Sequence, residues 1–245
     1  ALSSGNVHFA AEVIENALGM NATWSDGNLA QLVAWLEALP QEAFHSRPRL
    51  GLHAARAFYI QGSFEKAEMQ IEQAERNLQF LPATPETDEL RAIATLNRGA
   101  IAAVRGDFRQ ALALVPPAQA RLPRKSHLWQ ARANFSLGLA HEITGQIEKA
   151  AKYYLQSGVE ARAAGVLFLE MHGLCCAAQV QMNQGHLKQA AQTCQDAIQL
   201  VKGARLPPLG LAWNILGAIA LEHNDLLSAE KYLCDGTALS RQGGL

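Results

Sequence analysis

His172, Cys175 and Cys176 stand three and four residues apart, so a helix would set one imidazole and two thiols on a single face, a donor set suited to zinc. A structural zinc site takes four ligands, and no second pair lies at a partner spacing, so these positions read instead as packed helix residues. His141-Glu142-Ile-Thr-Gly145 opens like the helix of a zinc peptidase but carries Gly where the second His belongs. The Gly-x-x-x-x-Gly-Lys-Ser/Thr loop that cradles phosphates is missing, as is a Gly-x-Ser-x-Gly nucleophile elbow. The four cysteines, Cys175, Cys176, Cys194 and Cys234, form no Cys-x-x-Cys pair and all fall in helical stretches. They read as reduced thiols packed as small apolar residues in a cytoplasmic protein. The expectation is a protein that is not an enzyme and carries no metal or cofactor.

The elements that position these residues announce themselves as a repeat. Five segments share a Gly or Asn, an apolar residue two positions on and Ala five positions on: Gly62-Ser-Phe64-Glu-Lys-Ala67, Gly106-Asp-Phe108-Arg-Gln-Ala111, Gly145-Gln-Ile147-Glu-Lys-Ala150, Gly185-His-Leu187-Lys-Gln-Ala190 and Asn224-Asp-Leu226-Leu-Ser-Ala229. Their starts lie 44, 39, 40 and 39 residues apart, a period that signals stacked supersecondary units. Seven residues before each copy stands a small residue, Ala55, Gly99, Gly138, Ala178 or Gly217. Nine after it stands Ile71, Val115, Tyr154, Cys194 or Leu233, and twelve after it Ala74, Ala118, Ser157, Ala197 or Gly236.

These offsets resemble the tetratricopeptide pattern, in which two antiparallel helices approach where facing residues are small and bulky residues fill the gaps between successive pairs. The Gly or Asn suits the left-handed residue that ends helix A, and Ser63, Asp107 and Asp225 are able to cap helix B. The period exceeds the usual repeat of about 34 residues, so helices or connections are extended. Helix pairs are predicted at 49–61 with 63–80, 87–105 with 107–121, 126–144 with 146–164, 167–184 with 186–202 and 208–223 with 225–241. Pro82, Pro85, Pro123, Pro207 and Pro208 punctuate the connections. The fold class is all-α, a right-handed α-α superhelix of tetratricopeptide-like pairs. Residues 1–245 read as a single helical-repeat domain, with atypical N-terminal helices over 1–47 and five pairs over 48–245.

Bulk properties agree. The 245 residues are 49% hydrophobic and 18% charged, enough for a continuous core, and a net charge of −1 supplies no global field for nucleic acid or anionic membrane. No apolar run is long enough to cross a bilayer, and Glu12 and Glu15 interrupt any leader-like pattern. Ala1 in place of Met leads to the expectation of an excised or processed segment.

The first fifty residues are more particular. A helical stretch from Phe9 to Leu18 is followed by a second helix, Leu32-Val-Ala-Trp35-Leu36-Glu37-Ala38-Leu39-Pro40, a six-residue linker, and Arg47-Pro48-Arg49-Leu50 opening the first pair. This segment, with the repeat phrase, resembles the helical-repeat region of large ATP-dependent LuxR-type transcriptional regulators of the MalT kind. In that family a nucleotide-binding NTPase module and a winged-helix segment precede the superhelix, and a LuxR-type helix-turn-helix follows it. Neither the phosphate loop nor a terminal DNA-binding helix pair occurs here. The resemblance therefore implies a sensor and coupling segment with no direct nucleic acid contact. Its partners would be a small-molecule inducer or regulatory protein and the other domains of the parent regulator.

In the tetratricopeptide register, residues ten, six and three before the turn face inward from helix A. These are Leu52, Arg56 and Tyr59, then Phe135, Leu139 and Glu142, then Cys175, Gln179 and Met182, with Asn214 from the last pair. Arg49, Arg132 and His172 lie one turn earlier. Polar groups beside aromatic rings suit a small polar inducer, so the candidate ligand-binding set is Arg49, Arg56, Tyr59, Arg132, Phe135, Glu142, His172, Gln179 and Asn214. The competing readings are a solvated inner face or packing between repeats. Trp24, Trp35, Trp129 and Trp213 are assigned to packing. The alternative function is a generic tetratricopeptide scaffold gripping a peptide or partner protein in its concave groove, although no clear clamp of Lys and Asn at successive positions supports it.

Overall fold

The computed structural model describes residues 7–19, 29–201 and 209–242, and among these all regular structure is helical. Trp24, Pro207 and Pro208 lie outside the described residues. The chain divides into two compact units, Ala1–Trp129 and Gln130–Leu245.

The first unit begins with α1 (Val7–Gly19), α2 (Leu29–Glu37) and a short α3 (Glu42–His45). The predicted linker after Pro40 is thus partly helical, because Phe44 and Ala43 bury one side of a single turn. Two pairs follow, α4 (Pro48–Ile60) with α5 (Phe64–Gln79) and α6 (Pro85–Val104) with α7 (Phe108–Arg121). Helix α5 packs on both α4 and α6, and α4 also touches α6, so the α4–α5 pair is closed by α6. The buried Asn97 amide of α6 donates to the Leu52 carbonyl of α4 at 2.9 Å, tying the two inner helices directly. Pro48 takes the first helical position of α4, where its missing N–H costs nothing. Trp35 is 38% exposed and so does not join the core expected of it, whereas Trp129 is buried with its ring 5.3 Å from that of His53.

Helix α8 (His127–Ile143) starts at the end of the first unit and runs into the second, which continues with α9 (Ile147–Ala163), α10 (Leu167–Asn183), α11 (Leu187–Gln199), α12 (Leu209–Glu222) and α13 (Leu226–Gln242). Here α9 packs on α10, α10 on α11 and α12, and α12 on α13. Its core joins Met171, Cys175, Ala178, Cys194, Ala197, Ile215 and Leu239. Cys175 and Cys194 thus pack as small apolar residues, but Cys176 is half-buried and Cys234 exposed.

Each repeat turn is a copy of one geometry. Gly62, Gly106, Gly145, Gly185 and Asn224 all have positive φ, between 56° and 85°. The amide of the next residue then returns to the carbonyl five positions earlier, as in Ser63 to Phe58 and Gln146 to His141, both at 2.8 Å. This satisfies carbonyls that a helix end would leave open. Asp107 and Asp225 cap the helices that follow, accepting from the amides of Gln110 and Ser228. Ser63 makes no side-chain cap bond.

The small and bulky repeat positions prove to be partners within a pair. A β-carbon on Gly99 would come within 2.5 Å of Val115, one on Gly138 within 2.6 Å of the Tyr154 ring, and one on Gly217 within 2.6 Å of Leu233. In these three repeats the bulky residue of helix B therefore seats on the glycine of its own helix A, which corrects the expectation that it fills the gap to the next pair. Overpacking such a contact costs about 1–3 kcal/mol. Gly138→Ala is expected to lower stability by about that amount in urea denaturation, and Gly138→Ala with Tyr154→Leu to recover part of it.

Candidate functional site

The inward register is only partly open. Leu52 and Cys175 are fully buried, so these two of the marked positions belong to the core. The nine candidate residues divide between the two units.

In the first unit Arg56 and Tyr59 come together on α4. Burial pushes the Arg56 guanidinium below its ordinary value, and a hydrogen bond and charge interaction with Tyr59 act the other way. Arg49 lies two turns earlier on α4 and is drawn to Glu86 at 3.2 Å, away from the Arg56–Tyr59 pair.

In the second unit α8 and α10 bring their candidates into direct contact. The Phe135 ring lies 4.6 Å from His172 and 5.4 Å from Tyr154, and Phe168, one turn before His172, covers its other side at 5.8 Å. Tyr154 reaches up from α9 and donates its hydroxyl to Glu142 Oε2 at 2.7 Å. Phe135, Glu142, His172 and Gln179 are all half-buried, which leaves each partly accessible. The Gln179 amide bonds Asn183 at 3.1 Å on the exposed side of α10. Arg132, one turn before Phe135, is buried. Asn214 does not join the cluster: its amide oxygen packs against Gly236 of α13, between the helices of its own pair.

Two members of the cluster, Tyr154 and Phe168, were not among the sequence candidates, and Cys176 was weighed only as a zinc ligand or a packed thiol. Tyr154 had a signal, being the only hydroxyl-bearing residue among the five bulky helix B positions. Phe168 had the weaker signal of standing four residues before His172.

Burial governs the electrostatics of the cluster. Burial, the Cys176 thiol and Glu142 all push the Tyr154 phenol up, so it remains a donor. Burial, Cys175 and Glu142 raise the Cys176 thiol likewise, keeping it protonated. Burial pushes Cys175 up to about 12. His172, enclosed by two phenyl rings, is lowered by desolvation. His141 stacks on Tyr153 at 5.3 Å and is lowered by desolvation and Lys149. The site therefore presents ring faces, a neutral imidazole, one carboxylate and side-chain amides. Among the described residues no group of three His, Cys, Asp or Glu is placed to hold a metal ion.

Repeated helix pairs with a glycine turn, a small-on-bulky seat and polar groups on the inner helices define a helical-repeat interaction domain of the tetratricopeptide type. Proteins of this class are generally scaffolds. More narrowly, residues 98–245 match the family model of the MalT-like TPR region, and the chain belongs to that family. The match leaves out Trp35 to Leu50, so the repeats carry the membership. Among solved structures, the fold is similar to a Rap protein complexed with Competence and Sporulation Factor, with TM-score 0.71 and 11% identity over 97% of this chain. The chain spans 66% of that protein's length. It is also similar to BtubC (BKLC) from P. vanneervenii, with TM-score 0.63 and 15% identity over 99% of this chain and 92% of that one. No curated protein sequence matches significantly. No helix among the described residues is long and apolar enough to cross a membrane.

Because His141 and His172 titrate below the ordinary 6.5 when folded, the unfolded chain takes up protons first as pH falls. Their contribution to stability is complete above about pH 6.5 and declines below it until the folded-state values are reached. Urea midpoints measured at about pH 7.5 and about pH 5.5 are expected to fall with acidification, and His172→Phe to reduce that fall.

Proposed function

We propose that this chain is the signal-sensing and protein-interaction segment of a LuxR/MalT-type transcriptional regulator. It binds a small-molecule inducer or a regulatory protein and couples that binding to activation. The observation that carries this reading is the half-buried cluster of Phe135, His172, Tyr154 and Glu142, contributed by consecutive helix pairs in a MalT-like TPR-family chain. Gln179 extends the proposed contact surface in the second unit, whereas Arg132 is buried there, and Tyr59 beside the buried Arg56 offers a polar-aromatic pair in the first. The similar fold of Rap, solved with Competence and Sporulation Factor, supports effector binding as a use of this architecture.

The coupling follows from the repeat. Each pair touches only its neighbours, so a ligand gripping α8 and α10 together favours one setting of adjacent pairs over another. In the full regulator that preference passes to an NTPase module and a helix-turn-helix, in the cytoplasm, while this segment itself contacts no DNA.

Two measurements test the proposal. The coding sequence flanking this segment is expected to encode a phosphate-binding loop upstream and a helix-turn-helix downstream; their absence overturns the regulator reading and leaves a partner-binding scaffold. In a reporter assay of the full protein, Phe135→Ala with His172→Ala is expected to weaken the inducer response about tenfold, because loss of central aromatic contacts typically costs that much or more. Unchanged far-UV circular dichroism accompanies the loss. A response equal to that of the unsubstituted protein would remove the cluster from the site.

A further inference from the structure

A cleft of about 440 Å³ opens in the first unit where α1 meets the starts of α4 and α6, a size within the usual range of about 300–1,000 Å³ for small-ligand sites. Two arginines line it and differ in how firmly they are held. Arg47 donates through Nη1 to Glu15 at 2.7 Å, with both side chains largely covered, and its Nη2 lies 3.3 Å from both ring nitrogens of His8. Among the described residues Arg49 pairs with Glu86, through Nη2 at 3.2 Å, and the Glu86 side chain is 71% exposed. Pro48, Leu81 and Leu90 supply apolar wall beside these charges.

We propose that this cleft binds the carboxylate of a small organic acid with an apolar body, gripped by the Arg49 guanidinium. The guanidinium fork matches a carboxylate through two parallel N–H bonds, stronger than the single bond it now makes. An exposed ion pair such as Arg49–Glu86 contributes little, so an incoming carboxylate displaces Glu86 into water at small cost. Arg47 remains fixed by Glu15 as the second cation, and the ligand body lies along Pro48, Leu81 and Leu90. The charge balance selects a monoanion. With Glu86 displaced, two guanidinium groups face Glu15 and one ligand carboxylate, whereas a phosphate dianion would leave the cleft negative. A neutral amide lacks the charge that displaces Glu86.

Calorimetric titration of the 245-residue chain with 3-phenylpropionate tests this site. Saturable binding is expected, weakened about tenfold by Arg49→Gln, as befits loss of a bidentate charged contact. Glu86→Gln removes the internal competitor and is expected to tighten binding about threefold, a gain that a merely structural pair would not give. 3-Phenylpropanamide is expected not to bind and inorganic phosphate not to compete. Both substitutions lie at a partly exposed ion pair, and circular dichroism confirms that the variants fold. Absence of saturable binding by the folded chain, equal affinity for the amide, competition by phosphate, or no gain from Glu86→Gln overturns the proposal. The site is separate from the α8–α10 cluster, so Phe135→Ala with His172→Ala should leave 3-phenylpropionate binding unchanged, and either site can fail alone.

Discussion

The close approach of two antiparallel helices within each pair is the constraint on which the remainder of the structure depends. It is met where a glycine of helix A leaves room for a bulky residue of helix B, as Gly138 does for Tyr154 and Gly99 for Val115. The turn between the helices must reverse the chain within a few residues. A left-handed Gly or Asn does so while its neighbour's amide satisfies a terminal carbonyl. Once the seat and the turn recur at a near-constant spacing, a helix B also meets the helix A after it within each unit, α5 on α6, α9 on α10 and α11 on α12, and stacking there follows from repetition of one local solution.

Tyr154 shows how that scaffold and the candidate site share an atom-level boundary. Its ring is the bulky group on Gly138, and its hydroxyl leaves the pair interface to meet Glu142, beside Phe135. Any other bulky residue found at this repeat position, such as Ile71 or Leu233, would fill space without reaching a carboxylate. The packing requirement thus fixes the ring that orients Glu142, and Glu142 with His172 becomes a feature of adjacent pairs rather than of one helix. Burial keeps the phenol and the nearby Cys176 thiol protonated, so both remain hydrogen-bond donors beside the ring faces.

Helices, turns and pair boundaries were legible because they rest on local rules. Gly145 needs positive φ, Asp107 caps a helix, and Pro48 starts one, whatever surrounds them. The tetratricopeptide-like class was legible for a related reason: five copies in register leave little freedom for another fold. The MalT-like family was read chiefly from Trp35 to Leu50, a segment outside the residues that match the family model. Direction on the inner face was less legible. Counting from the turn placed Phe135 at an inward position and His172 one turn before the inward position of its own helix, and they do meet, but it marked Leu52 and Cys175 as inward too, and both are core.

The amino-acid order by itself determined that the chain is all-helical, where each pair turns, and which small residues had to lie at a helix contact, because those properties arise from backbone conformation and near-neighbour sterics. Only the tertiary structure decided that Asn214 packs on Gly236, that Trp35 stays partly exposed, and that Arg49 joins a cleft with Arg47 and Glu86 instead of the Arg56–Tyr59 pair. Those outcomes depend on which distant side chains share a space once the helices have packed. Glu86 is thirty-seven residues from Arg49, and no local rule ties the two together.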